Sequence, residues 1–145
     1  MPKCGANHHN WSIALIGFKK RLTTIDTSPL LCHHILEELE KWREGSEPQQ
    51  ITEIPPALRP AILEQRKIGW KEFLEGLVSS YLHIYQQEFY TNKESYKTAS
   101  TWGSAVIRAG SDVVFQMWDE RNKKIHDTPI LAELEGEEKL NNAIV

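Results

Sequence analysis

Apolar side chains recur along this chain at the three-and-four spacing of helices that share a core, and no stretch alternates polar and apolar residues as a strand would. Trp11, Leu15, Phe18 and Leu22 form the first stripe. Ser28-Pro29 then supplies an N-cap hydroxyl followed by a proline suited to a first helical turn, so a second helix is expected to start there. Its stripe is Leu31, Ile35, Leu39 and Trp42, and Gly45 is placed to stop it. From Ser46 to Pro60 the chain carries four prolines among Ser, Glu and Gln, a composition that resists regular structure and predicts a surface connector at about 45–60.

After Pro60 the pattern resumes. Trp70, Phe73, Leu74, Leu77, Tyr81, Ile84 and Tyr85 trace one face of a single helix over about four turns. Thr91 to Ser95 is polar and predicts a reversal, after which Trp102, Val106, Ala109, Val113, Met117, Trp118, Arg121 and Ile125 outline the last long helix. Gly103 and Gly110 within it each weaken the helix by about 1 kcal/mol relative to alanine, which makes sense where a neighbour approaches closely. Asp127-Thr128-Pro129 should end it. Ile130–Leu134 and Leu140–Val145 are expected to form short helices. The expected fold is therefore all-α, an antiparallel bundle of four or five helices with a Pro-rich connector. A single helical domain over 11–145 would follow a flexible leader at 1–10, and the C-terminus, ending in the apolar run Ala143-Ile144-Val145, has the look of a truncated one.

Composition narrows the function classes. The 145 residues are 40% hydrophobic and 26% charged, enough for one modest core. A net charge of -3 offers no broad attraction for polyanions, so any contact with RNA or DNA has to come from a local patch. No apolar run approaches the roughly 20 residues of a membrane span, and an intracellular protein with no membrane association is expected. Cys4 and Cys32 are too few for a disulfide framework. Five tryptophans can anchor helix packing or mark an interface with a protein partner or a second copy in a homodimer.

Candidate chemistry concentrates near the end of the last helix. Arg121 can hold a phosphate by paired hydrogen bonds, and His126 can move protons near neutral pH. Asn122 directly follows the arginine. Residues five apart on a regular helix differ by about 140° in direction, so Arg121 and His126 converge only if the helix ends or distorts before His126, or if a second protomer completes the site. The plainer alternative has Arg121 beside the core stripe, paired with an acidic neighbour, and His126 at the negative end of the helix. Elsewhere, Met1-Pro2-Lys3-Cys4-Gly5 with His8 and His9 reads as the remnant of a zinc knuckle, but its spacings match no strong metal template, and neither a metal nor a cofactor is expected. Cys32-His33-His34 places a thiol beside imidazoles without an acid partner, which favours core packing over a nucleophile. Trp70, Tyr81, Tyr85, Phe89 and Tyr90 can stack bases, yet helical spacing already assigns most of them to the core. Glu133, Glu135, Glu137 and Glu138 read as a solvated acidic face.

Two resemblances attach to these residues. The spacing of Arg121, Asn122 and His126 resembles the Arg-x4-6-His motif of the HEPN superfamily, all-helical domains of which many cleave RNA without a metal. That resemblance implies His126 as general base or acid, Arg121 as the phosphate holder and Asn122 as the group orienting the pair, in a dimer. A wider one rests on Ile68-Gly69-Trp70-Lys71-Glu72-Phe73-Leu74-Glu75-Gly76, then Trp102-Gly103, then Trp118-Asp119-Glu120-Arg121-Asn122-Lys123-Lys124-Ile125-His126. These look like the ordered boxes of an uncharacterised domain found in proteins of retroelement-rich eukaryotic genomes, and the similarity runs from about Cys4 to the C-terminus. It implies a module of a retroelement-derived protein and carries no reaction with it; together with the abundant aromatics and the lack of a complete catalytic set, it leads us to expect a non-catalytic helical module that holds a partner or assists nucleic-acid handling. A metal-independent endoribonuclease using Arg121, Asn122 and His126 is the alternative.

Overall fold

The computed structural model describes the backbone of residues 5–126 and the side chains of residues 10–117. Among the described residues all regular structure is helical: α1 (Gly5–Thr24), α2 (Pro29–Glu44), α3 (Arg59–Ile68), α4 (Trp70–Leu74), α5 (Ser80–Asn92) and α6 (Ala99–His126). Five of these have ten residues or more, and α4 is a single short turn of five. The first helix begins at Gly5, inside the stretch expected to be a leader.

Local chemistry explains α2 at both ends. The Ser28 hydroxyl accepts the Leu31 N–H, Pro29 occupies the first turn, and Gly45 closes the helix in the left-handed region at φ 71°. The expected stripe is buried through Leu31, Ile35 and Leu39, while Trp42 stays 39% exposed. On α1, the stripe Trp11, Leu15, Phe18 and Leu22 is buried in full.

The stretch expected as one long helix is divided into α3, α4 and α5. Gly69 at φ 115° and Gly76 at φ 108° adopt conformations closed to ordinary side chains, and the Ser79 hydroxyl then caps a new helix by accepting the Tyr81 N–H. Gln65, fully buried, ties the breaks together: its amide donates to the carbonyls of Gly69 and Leu77 at 3.1 and 3.0 Å, and its oxygen accepts the Ser79 N–H at 2.7 Å. The division rotates α5 relative to the expected face. Leu82, Gln86 and Tyr90 point into the core, whereas Leu77, Tyr81 and Ile84 are exposed.

Contacts along the helices fix their directions. Thr27, just after α1, accepts the Trp102 Nε1–H at 2.9 Å near the start of α6, Arg21 pairs with Asp112 at 2.6 Å, and Trp11 shares a hollow with Met117. As α1 ascends, α6 descends, so the two are antiparallel. Rings of Trp11, early in α1, and Trp42, late in α2, meet at the open end of the α1–α2 hairpin, and Gln87 of α5 reaches the Ala99 N–H of α6, giving antiparallel pairs there too. The α1–α2 turn is held from α5 by Gln86, which bonds Ser28 N and Asp26 O, and by the Tyr90 hydroxyl, which donates to Ile25 O at 2.6 Å.

Close approach accounts for the α6 glycines. A Cβ on Gly103 would run into the His83 ring of α5, and one on Gly110 would sit 2.9 Å from the carbonyl oxygen of Leu74. A side-chain ring can turn aside; a backbone carbonyl moves only with its helix. Gly110→Ala is therefore expected to destabilise the protein by about 1–3 kcal/mol through overpacking, in spite of a helix-propensity gain of about 1 kcal/mol. A urea midpoint equal to or above that of the parent would show that α4 yields without cost.

Candidate interaction groove

Two clusters look like sites, and their chemistry separates them. The first is centred on Glu38, on the apolar face of α2 and only 2% exposed. Its carboxylate receives Arg66 Nε and a second guanidinium nitrogen at 2.7 and 2.8 Å, the Gln49 side-chain amide at 3.0 Å and the Trp70 indole N–H at 3.2 Å. Gln49 also accepts from His34 Nδ1 at 2.7 Å, and Arg66 donates to the Gln49 carbonyl at 2.8 Å. Burial works to raise the pKa of Glu38, but the hydrogen bonds from Arg66 and Gln49 together with the guanidinium charge outweigh it and hold the carboxyl below its ordinary value. A carboxylate so saturated with donors has no basicity to lend to a reaction. The cluster clasps the 45–60 connector onto α2 and α3.

Cys32 belongs to the same class of buried, occupied groups. It lies in the core and burial pushes its thiol pKa up, against the weaker pull of the Lys19 charge, so a thiolate nucleophile is disfavoured. Among the described residues no cluster of His, Cys, Asp or Glu is arranged to hold a metal. Cys4, His8 and His9 lie outside the described side chains. Of the aromatic set, Trp70 and Tyr90 are buried and Tyr85 and Phe89 pack against the core, leaving Tyr81 as the exposed member.

The side chains of Arg121, Asn122 and His126 also lie outside those described, but their backbone belongs to α6, which runs to His126. The helix does not end between Arg121 and His126. The two positions are then about 140° apart around the axis, which leaves the two-protomer route to any pairing of them.

The second cluster is an open hollow of about 270 Å³ where α1, α2, α4 and α6 meet. Leu74, Val113, Val114 and Met117 make an apolar floor, Trp11 and Trp42 form one wall, and Arg43, Lys71 and Glu75 stand at its rim. The two indoles meet edge to face at 6.2 Å, and the Arg43 guanidinium lies 5.4 Å over the Trp11 ring. Trp11 is 3% exposed, and its Nε1–H is the one buried side-chain polar atom among the described residues that has no hydrogen-bond partner. A second hollow continues along the α4–α6 seam through Leu74, Glu75, Ser111, Val114 and Phe115. Phe115 is 66% exposed there, and Leu77, Ile107 and Val114 are exposed as well.

Lys19, Lys20, Arg21 and Arg108 are exposed cations near the other end of the α1–α6 pair, and Arg21 is engaged by Asp112. No helix of the described residues is long and apolar enough to cross a membrane.

The sequence reading missed the groove because its walls come from positions 11, 42–43, 71–75 and 113–117, which only the fold brings together. Comparison with protein-family models, with curated proteins and with solved structures found no match to this chain.

Proposed function

We propose that this protein is a non-catalytic helical interaction module, of the retroelement-derived kind that its sequence resembles, and that its binding surface is the α4–α6 groove. The observation that carries the reading is the groove itself: an apolar floor, two tryptophans and a ledge of exposed Leu77, Val114 and Phe115 on one side of the bundle. Isolated exposed apolar residues are ordinary, but a contiguous set with aromatic anchors and charged rims is how protein interfaces are built. The saturated Glu38 cluster and the inert Cys32 supply no competing chemistry. A nucleic-acid-assisting role would use Lys19, Lys20 and Arg108 rather than the groove.

Selecting amphipathic peptides from a library against the full chain tests this. Binders are expected to lose affinity at least about tenfold against Val114→Glu, which places a charge on the exposed floor at little cost to folding, as the circular dichroism melt would confirm. Binding that ignores Val114→Glu, or an absence of binders, would refute the reading. Incubation with unstructured RNA in chelator addresses the rival activity. Cleavage that His126→Ala abolishes would put the endoribonuclease of Arg121, Asn122 and His126 in its place.

A further inference from the structure

The exposed ledge beside the groove has a repeat of its own along α6. Ser104, Ile107, Ser111 and Val114 follow one another at spacings of three, four and three, and positions 118, 121 and 125 continue the same alternation towards the end of the helix. On a regular helix Ile107, Ser111, Val114, Trp118 and Ile125 occupy positions within about 60° of one another, about 140° around the axis from the core line of Trp102, Val106, Ala109 and Val113. Gly103 and Gly110, where α5 and α4 approach, border this second line on one side, and Arg108 and Asp112 border it on the other. The line itself is open from Ser104 to Val114, and no charge falls on that part of it. An uncharged line of alternating three and four spacing is matched by a second helix with the same spacing.

Area points to a second copy of this chain as the source of that helix. Leu77, Ile107, Val114 and Phe115 are between 40% and 66% exposed. They leave about 400 Å² of apolar side chain open to water, at the upper part of what a monomer tolerates. The patch is contiguous: Ser111, Val114 and Phe115 line one hollow, and Gly76, directly before Leu77, lies against Ile107. A stable pair buries about 800 Å² on each side, of which about 500 Å² is apolar in homodimers. The described ledge supplies most of that amount, and α6 carries the same line on through positions 118 and 125.

We propose that two copies of this chain pair through this ledge, their α6 helices antiparallel about a two-fold axis that passes midway between Ser111 and Val114. This rests on the ledge being the interaction surface of the module, and it names the partner. The register sets Ser111 of each copy against Val114 of the other and Ile107 against position 118, so that small residues meet large ones and the same contact is made twice. Parallel pairing would set serine against serine at 104 and 111, bring two arginines together at position 121 and align the helix dipoles in one direction. The antiparallel pair avoids all three.

Sedimentation equilibrium of the full chain tests the pairing. The parent is expected to approach twice its 16.7 kDa with a Kd below about 100 µM. Ile107→Arg and Ser104→Arg, at positions that line neither hollow of the groove, should each raise that Kd at least about tenfold while circular dichroism shows them folded. Ser104 is exposed, which keeps the test intact should Ile107→Arg fail to fold. With p-benzoylphenylalanine in place of Phe115, a mixture of ¹⁴N and ¹⁵N chains should show photo-links between copies at 107–111, where the antiparallel register brings the two helices together. A parent that stays monomeric at about 100 µM, a dimer indifferent to both substitutions, or links centred on 115 of the other copy would overturn the proposal. Selected peptides that still lose affinity to Val114→Glu would then leave the groove standing as an interface for another partner. A monomer that selects no peptides would overturn both readings.

Discussion

Arg66→Ala is expected to cost about 3–5 kcal/mol of folding stability, because it strips the bidentate partner from a carboxylate that has almost no access to water. Gln49 and Trp70 would remain as donors, but neither carries a charge. The sign of the pH dependence gives a sharper test than the loss itself. In the parent protein the folded pKa of Glu38 lies below the ordinary glutamate value of 4.5, so its contribution is complete above that pH and fades as pH falls through the folded value. Without Arg66, burial is the dominant influence and raises the folded pKa above 4.5. The variant should then gain stability relative to the parent as pH is lowered from neutral towards 4.5. Arg66→Met/Glu38→Leu, which removes both charges, should recover part of the loss, since a buried ion pair is worth little against apolar side chains of similar volume, while the Trp70 and Gln49 donors lose their acceptor. Urea unfolding of the three proteins from pH 4 to pH 8 measures this, and parallel pH profiles for parent and Arg66→Ala would contradict it.

How far such features could be read beforehand depends on whether their cause is local. The α2 boundaries were legible because Ser28, Pro29 and Gly45 act on the backbone within one turn. Likewise, the polar stretch 91–95 marks the α5–α6 reversal, where Glu94 takes φ 56°. The division of α3, α4 and α5 was harder to see. Apolar spacing runs on across Gly69 and Gly76, and only the positive φ of both glycines and the Ser79 cap show that the chain turns. A glycine seven residues from another, with Ser79-Ser80 following, was the available signal.

Polar residues standing on apolar stripes were a second signal. Glu38 shares its face with Leu31, Ile35 and Leu39, Gln65 with Ala61 and Ile62, and Gln86 with Leu82 and Tyr90. A buried amide has to find backbone or side-chain partners, and the free backbone is in connectors. Each stripe residue accordingly binds one: Glu38 accepts the Gln49 N–H of the 45–60 connector, Gln65 holds the segment from Gly69 to Ser79, and Gln86 holds the α1–α2 turn. Stripe position foretells burial where the helix is unbroken, as on α1, and fails past Gly69 and Gly76, where Leu77, Tyr81 and Ile84 are exposed. It does not foretell the partner, which is 58 residues away for the bond between Gln86 and Ser28. The groove is of this second kind, with walls gathered from four helices.

The same coupling of a turn to a distant helix makes Trp102 the position where truncation should cost most among the aromatic residues. Its ring is fully buried, meets His83 edge to face at 5.6 Å, and donates through Nε1 to Thr27 Oγ1 at 2.9 Å, so that one side chain joins α5, α6 and the α1–α2 turn. Trp102→Ala is expected to lose about 3–5 kcal/mol, the lost burial plus the cavity left behind. Trp102→Phe retains much of the volume but leaves the buried Thr27 hydroxyl without its donor, and should lose about 1–3 kcal/mol. Because the cavity in the alanine variant would be lined by a rigid helical frame, indole should refill it. At ten times its Kd, indole would return about 1.4 kcal/mol, seen as a rise in Tm that depends on its concentration. Benzene fills space without an N–H, should bind with a higher Kd, and should therefore restore less at the same free concentration. Equal rescue by the two ligands would show that the bond to Thr27 adds nothing to the hold that Gln86, Tyr90 and Lys93 already have on the turn.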